Sequence, residues 1–157
     1  SGFLDDWTPI GFDLYDGNIQ GTGTITVDGI ELHVDINNAT GNIEGWFVAD
    51  STGSYTNSIV TRLPVPRNYI EWMGTGLHFW NKADDDASVE IMVIDCSGNP
   101  VLDTGEIQNH AWTESDAHIS GEFEPNEWFT VQTIFKSTGD NSSFMGEMSL
   151  YYHSYSL

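Results

Sequence analysis

Trp128-Phe129-Thr130-Val131-Gln132-Thr133-Ile134-Phe135-Lys136 is the stretch on which the fold turns. Phe129, Val131, Thr133 and Phe135 fall on one side of an extended chain, opposite Thr130 and Gln132. Successive side chains of a strand point to opposite faces, so this period of two marks a strand with one face turned to a core. A helix would need apolar residues three and four apart, and long runs with that period are absent.

The same period spreads outward from this stretch. Ile30, Leu32, Val34 and Ile36 share a face opposite Glu31, His33 and Asp35, directly after the hairpin signal Asp28-Gly29. Gly21 to Thr26, Glu44 to Ala49, Ser58 to Leu63, Gly76 to Asn81, Val89 to Cys96 and Gly146 to Leu157 read as further strands. Turn formers separate them, among them Asp50-Ser51-Thr52-Gly53, Asp84-Asp85-Asp86, Ser97-Gly98-Asn99-Pro100 and Thr138-Gly139-Asp140-Asn141. Many short strands between such turns predict an all-β sandwich or barrel. No repeat or linker breaks residues 1–157, so a single domain is expected, long enough to bury a core. The stretch from Asp103 to Asn126 is polar and reads as loops around one weak strand.

Charge restricts the partners. The chain carries 24 Asp and Glu against 4 Lys and Arg, a formal net charge of -20. Such a surface repels nucleic acid, anionic lipid and acidic polysaccharide, leaving neutral, cationic or metal-bridged partners. The same acidity equally serves solubility or a salty medium. No apolar stretch approaches the ~20 residues needed to span a bilayer. Ser1-Gly2 and the absence of a charged-then-apolar leader suggest a module cut from a larger secreted or cell-surface protein.

Cys96 is the only cysteine, which excludes an intrachain disulfide and a cysteine-based zinc cluster. It follows the apolar run Val89-Glu90-Ile91-Met92-Val93-Ile94 and is expected as a small buried hydrophobe. Either face of that run could be the core face. Asn38-Ala39-Thr40 and Asn141-Ser142-Ser143 match the glycosylation acceptor pattern and are read only as exposed loops.

Catalytic signatures are missing from the sequence. Carboxylates abound, yet no Glu-x-Asp-x-Glu run of the kind a sandwich glycosidase presents occurs. Glu122 and Glu124 share a face, but Pro125 follows at once and suits a strand end. No nucleophile elbow, zinc-protease helix or phosphate-cradling loop appears. A chain without catalysis of its own is expected.

The aromatic residues say more: 6 Trp, 6 Tyr and 8 Phe, several of them set away from the core face. In Leu77-His78-Phe79-Trp80, alternation puts Leu77 and Phe79 on one face and His78 with Trp80 on the other. Near the end of the chain Tyr151, His153 and Tyr155 share a face opposite Met148, Leu150 and Tyr152. A face carrying Trp80, His78, Gln132, Tyr151, His153 and Tyr155 suits a neutral sugar. Pyranose C–H groups pack on aromatic rings, and hydroxyls need donors and acceptors such as His and Gln. Trp46, and Tyr55 in the loop after it, extend such a platform. Trp72 serves the platform or the core equally well, and Trp7 and Trp112 stay open. The competing reading places all these rings in the second layer of a sandwich core. His110 and His118 have no supporting metal-ligand spacing. Asp5-Asp6, Asp84-Asp85-Asp86 and Asp140-Asn141 offer hard oxygen ligands in expected loops. No Asp-x-Asp-x-Asp-Gly loop is present, so any calcium ion is expected to be structural, with Asp5 and Asp6 as its ligands.

In order, these features resemble the jelly-roll carbohydrate-binding modules of families four, eleven and twenty-two. Phe3-Leu4-Asp5-Asp6-Trp7 is similar to their Asp-Asp-aromatic first strand. Ile70-Glu71-Trp72 leading into Leu77-His78-Phe79-Trp80-Asn81 resembles their central strand, and Val89-Glu90-Ile91-Met92-Val93 its pairing strand. Glu122-Phe123-Glu124-Pro125-Asn126-Glu127-Trp128-Phe129-Thr130-Val131 resembles their Trp-then-strand passage. Tyr151-Tyr152-His153-Ser154-Tyr155-Ser156-Leu157 stands where they end on an aromatic strand. The resemblance implies a two-sheet jelly roll appended to a polysaccharide-degrading enzyme, binding one glycan chain in a cleft on the concave sheet. Those families often carry an Asp in the closing strand that helps to hold calcium. His153 stands there instead, which weakens the metal site and frees His153 for ligand contact.

The leading expectation is therefore a non-catalytic module for a neutral polysaccharide such as a β-glucan, xyloglucan or related hemicellulose. A cell-surface or viral attachment domain for host glycan or protein, and a small sandwich enzyme acting on polysaccharide, are the alternatives.

Overall fold

The computed structural model describes residues 4–12, 18–22, 31–34, 45–49, 55–138 and 141–155, with side chains at 56, 58–138 and 141–154. These residues form strands and no helix: β1 (Leu4–Phe12), β2 (Asn18–Thr22), β3 (Glu31–Val34), β4 (Gly45–Ala49), β5 (Tyr55–Pro64), β6 (Tyr69–Ala83), β7 (Ser88–Asp95), β8 (Pro100–Asp103), β9 (Thr113–Ala117), β10 (Trp128–Ser137) and β11 (Ser143–Tyr155). One sheet runs β3-β4-β11-β6-β9, with β1 also paired to β11; the other runs β2-β5-β10-β7-β8. Every strand pair within them is antiparallel.

The period-two reading of β10 holds residue by residue. Phe129, Val131, Thr133 and Phe135 are buried, while Thr130, Gln132 and Ile134 are half-buried on the outer side. On β7 the ambiguity resolves: Val89, Ile91 and Val93 fill the core, and Met92 and Ile94 face outward. Leu77 and Phe79 of β6, with Met148, Leu150 and Tyr152 of β11, close the core from the other sheet. Each fully buried side chain of this size contributes about 1.5–3 kcal/mol.

Trp72 belongs to the core. Its ring meets Tyr69, Phe123, Phe129 and Tyr152 edge to face or nearly so, at centroid distances of 5.1 to 6.4 Å. Offset and edge-on contacts are the favoured geometry for aromatic rings. Burial in this cluster pushes the Tyr69 phenol up to about 12, and the Tyr152 hydroxyl donates to Asn68 Oδ1 at 3.0 Å.

Four expectations need correction. Cys96 is only half-buried, past the end of β7, and its thiol donates to Glu127 Oε2 at 2.7 Å. That hydrogen bond and then burial raise the thiol above its ordinary pKa and keep it protonated. Tyr55 is not in a loop; it opens β5, paired with Ser137. Asp5 and Asp6 lie in strand β1, where Asp5 pairs with Ser154. Ser142 and Ser143 are buried, so the second acceptor pattern is not an exposed loop, and Asn38-Ala39-Thr40 lies outside the described residues.

Two of the three breaks in the β6–β11 register shape the outer face. Asn81 pairs with Met145 and Phe79 with Met148, so Trp80 stands against the extra residues Gly146 and Glu147. Leu77 pairs with Leu150 but Trp72 with Tyr152, so Tyr151 stands against the longer bulge Met73 to Gly76. A Cβ on Gly76 would come within 3.0 Å of the Tyr151 carbonyl oxygen, so only glycine lets the two backbones approach this closely. Bulges of this kind re-aim neighbouring side chains.

Candidate functional site: a ring strip on the outer face of one sheet

Because β6 and β11 send alternate residues inward, the intervening residues line the outer face. On β6 these are His78, Trp80 and Lys82; on β11 they are Phe144, Ser149, Tyr151 and His153. All are half-buried, as expected of side chains that lie against a sheet rather than stand off it. His78 and Tyr151 meet at a centroid distance of 4.9 Å with planes at 75°. At the far end Trp112 meets Phe144 at 6.0 Å, and the Lys82 ammonium lies 5.0 Å from the Phe144 centroid. From Phe144 to His153 the strip is roughly 30 Å long, at about 3.3 Å per strand residue.

Polar groups accompany the rings. His78 Nδ1 lies 3.3 Å from Glu114 Oε1. A carboxylate only accepts, so Nδ1 carries the proton and, in the neutral ring, Nε2 is left as an acceptor. That Nε2 and His153 Nδ1 are both buried, and neither has a hydrogen-bond partner among the described residues. An enclosed polar atom left unpaired costs about 1–3 kcal/mol. The two lie on either side of Tyr151 in the same strip. Edge strand β9 supplies the border: Glu114 pairs with Trp80 and Asp116 with His78. Glu71 pairs with His153.

The expected site residues therefore divide. Trp80, His78, Tyr151 and His153 share one face, and Tyr155 and Trp46 belong to strands of the same sheet, although their side chains lie outside the described set. Gln132 is not with them. It lies on the outer face of the other sheet, where its amide donates to Ser58 Oγ at 3.3 Å. Tyr55 also belongs to that second sheet. Trp112, left open by the sequence, joins the strip, as do three residues not singled out there, Phe144, Glu114 and Asp116. The Glu-x-Asp alternation in β9 was the available signal for the last two.

Among the described side chains, His110 and His118 have structural partners. His118 Nδ1 donates to the Gly74 carbonyl at 2.6 Å and so holds the bulge beside Tyr151. His110 Nδ1 donates to the Ala83 carbonyl at 3.2 Å, with Asp85 at 3.7 Å. Among the described residues no three His, Cys, Asp or Glu side chains gather into a metal-holding group. Asp84 accepts from the Ser142 backbone N–H at 3.2 Å, which ties the β6–β7 turn to the start of β11. The calcium implied by the resemblance finds no hard-oxygen set among the described side chains; opposite Asp5 stands Ser154, with His153 beside it.

Among the described residues, Glu90 and Asp103 share a hydrogen bond on the second sheet. Glu90 is pushed up to about 7, first by its hydrogen bond with Asp103, then by burial and the Asp103 and Glu106 charges. Asp103 is held below its ordinary value by the same hydrogen bond and by the Gly105 N–H.

No family model matches the sequence, and no curated protein does. Solved structures do. The chain is similar to TmCBM61, solved in complex with beta-1,4-galactotriose, with a TM-score of 0.58 and 11% identity over 99% of this chain and 92% of that one. It is similar to the family 11 carbohydrate-binding module from Clostridium thermocellum, solved with a beta-1,3-1,4-mixed-linked tetrasaccharide, with a TM-score of 0.50 and 10% identity over 90% of this chain and 95% of that one. The CBM22-1 xylan-binding domain from Paenibacillus barcinonensis matches with a TM-score of 0.49 and 12% identity over 100% of this chain and 98% of that one. The chain thus has the jelly-roll β-sandwich fold of carbohydrate-binding modules.

Proposed function

We propose that the chain is a non-catalytic carbohydrate-binding module that holds a neutral polysaccharide, a β-glucan, xyloglucan or related hemicellulose, along the ring strip of β6 and β11. The observation that carries this reading is the strip itself: Trp80, His78 and Tyr151 gathered on one outer face, with acceptors and carboxylates at their edges. Rings of this kind remove water from sugar C–H surfaces at little entropic cost, and the border groups take hydroxyls. The fold is one on which neutral oligosaccharides are held in TmCBM61 and in the family 11 module. The coupled acids Glu90 and Asp103 stand on the opposite sheet from the strip, which supports binding rather than bond cleavage there. A structural calcium at Asp5 and Asp6 and a secreted, multimodular parent belong to the same proposal.

Affinity electrophoresis in gels carrying soluble β-glucan, xyloglucan, xylan or galactan, run beside a reducing-sugar assay, tests it. Retardation without new reducing ends is the expected result. New reducing ends would identify an enzyme, and migration unchanged in every gel would contradict glycan binding. Retardation lost in Gln132→Ala but kept in Trp80→Ala would move the ligand to the second sheet.

A further inference from the structure

We infer that the ring strip prefers glycans carrying free amino groups, polymers of hexosamine, over their neutral counterparts; this rests on the strip being the glycan site. Acids line the β9 border of the strip and stand within its own two strands. Glu114 pairs with Trp80 and Asp116 with His78 across β9, Glu71 pairs with His153, and Glu147 lies in the bulge facing Trp80. All four are exposed. The described strands of this sheet carry one cation, Lys82, and it is held over the Phe144 ring.

A pyranose stacked flat on Trp80 sends its equatorial substituents sideways, over the borders and not toward the ring. Across a paired strand the neighbouring Cβ atoms are about 5 Å apart, so a border carboxylate lies within reach of a substituent on a sugar centred over the ring. A hydroxyl gains a hydrogen bond there. An ammonium gains a hydrogen bond between two opposite full charges and is attracted by the Trp80 face as well. A carboxylate or sulfate is repelled. Each exposed ion pair contributes little, but a chain of several sugars meets several of them in succession. The preference should fade with salt, because these charges are open to solvent.

Titration calorimetry with two hexamers of the same linkage, β-1,4-glucosamine and β-1,4-glucose, tests this at mildly acidic pH. The amino hexamer should bind about fivefold tighter or more at low salt, and the ratio should fall toward one at about 0.5 M NaCl. Trp80→Ala should weaken both ligands. The ratio should collapse in the triple variant Glu71→Gln, Asp116→Asn, Glu147→Gln. It should persist in a control of equal charge, Asp86→Asn, Glu122→Gln, Glu124→Gln, whose exposed residues lie outside the strands. Trp80-dependent binding of the neutral hexamer with no preference for the amino form overturns this inference and leaves the glycan reading standing. A preference that survives Trp80→Ala, or that falls equally in the control, would show bulk charge attraction and also overturn it. Binding of neither hexamer removes the strip as a site for β-1,4-linked chains and the preference with it.

Discussion

His78 and Tyr151 stand edge to face across β6 and β11, and that contact joins two strands whose registers slip on either side of it. Between the slips only Phe79–Met148, His78–Ser149 and Leu77–Leu150 pair regularly. The platform is thus pinned at its middle by core residues below and by one ring contact above. Trp80 and Tyr151 each stand where the partner strand bulges.

The core beneath the strip carries the stability. Phe129 is fully buried and packs edge to face on Trp72 with centroids 5.6 Å apart. Phe129→Ala should therefore cost about 3–5 kcal/mol, read as a fall in the urea midpoint without a change in its slope. A loss below about 1 kcal/mol would contradict the assignment of this ring to the shared core.

The Glu90–Asp103 pair predicts a specific pH dependence. Glu90 titrates near 7 in the folded chain, above its ordinary value of 4.5, so the fold binds its proton more tightly than the unfolded chain does. The resulting stability is fully present below about 4.5 and is lost as pH rises through about 7. Asp103 has the opposite sign: its depressed value contributes stability at higher pH that is lost on acidification below its ordinary range. Melting temperature followed from pH 4 to 8 should fall between about 4.5 and 7 in the parent chain, and fall less in Glu90→Gln. Parallel curves for the two proteins would contradict the coupled pair.

A metal ion, where present, is expected to act on the fold alone. Chelation should lower the melting temperature while glycan binding persists at temperatures where the fold survives. Binding lost on chelation, with the circular dichroism spectrum unchanged, would instead make the ion a bridge to the sugar.

Alternation along single strands was legible from the sequence: it separated inward from outward residues on β10, at Leu77 to Trp80 of β6 and at Met148 to His153 of β11, and left the two-sided apolar run Val89 to Ile94 of β7 open. What alternation does not carry is strand order. Gln132 points outward from β10 just as Trp80 does from β6, yet the two strands belong to different sheets, so their outer faces look in opposite directions. Tyr55 followed the turn formers Asp50 to Gly53 and was expected in a loop, but it opens β5 of that second sheet. Glu114 and Asp116 escaped notice because Thr113-Glu114-Ser115-Asp116-Ala117 has no apolar face to announce a strand; it is held as an edge by pairing to β6. Cys96 followed an apolar run but falls just past its end, where the thiol finds a carboxylate in place of the core.

Trp80 decides the central claim. It shares its outer face with His78, opposite the fully buried Leu77 and Phe79, and is paired with Glu114. A ring stacked on a pyranose contributes on the order of 1–3 kcal/mol, by analogy with aromatic anchors in other interfaces. Calorimetric titration of Trp80→Ala with the glycan that retards the parent chain should show affinity at least about tenfold weaker, since ~1.4 kcal/mol corresponds to that factor. Its melting temperature should move little. Near-native affinity in the folded variant, or a variant too unstable to titrate, would contradict the ring strip as the glycan-binding face.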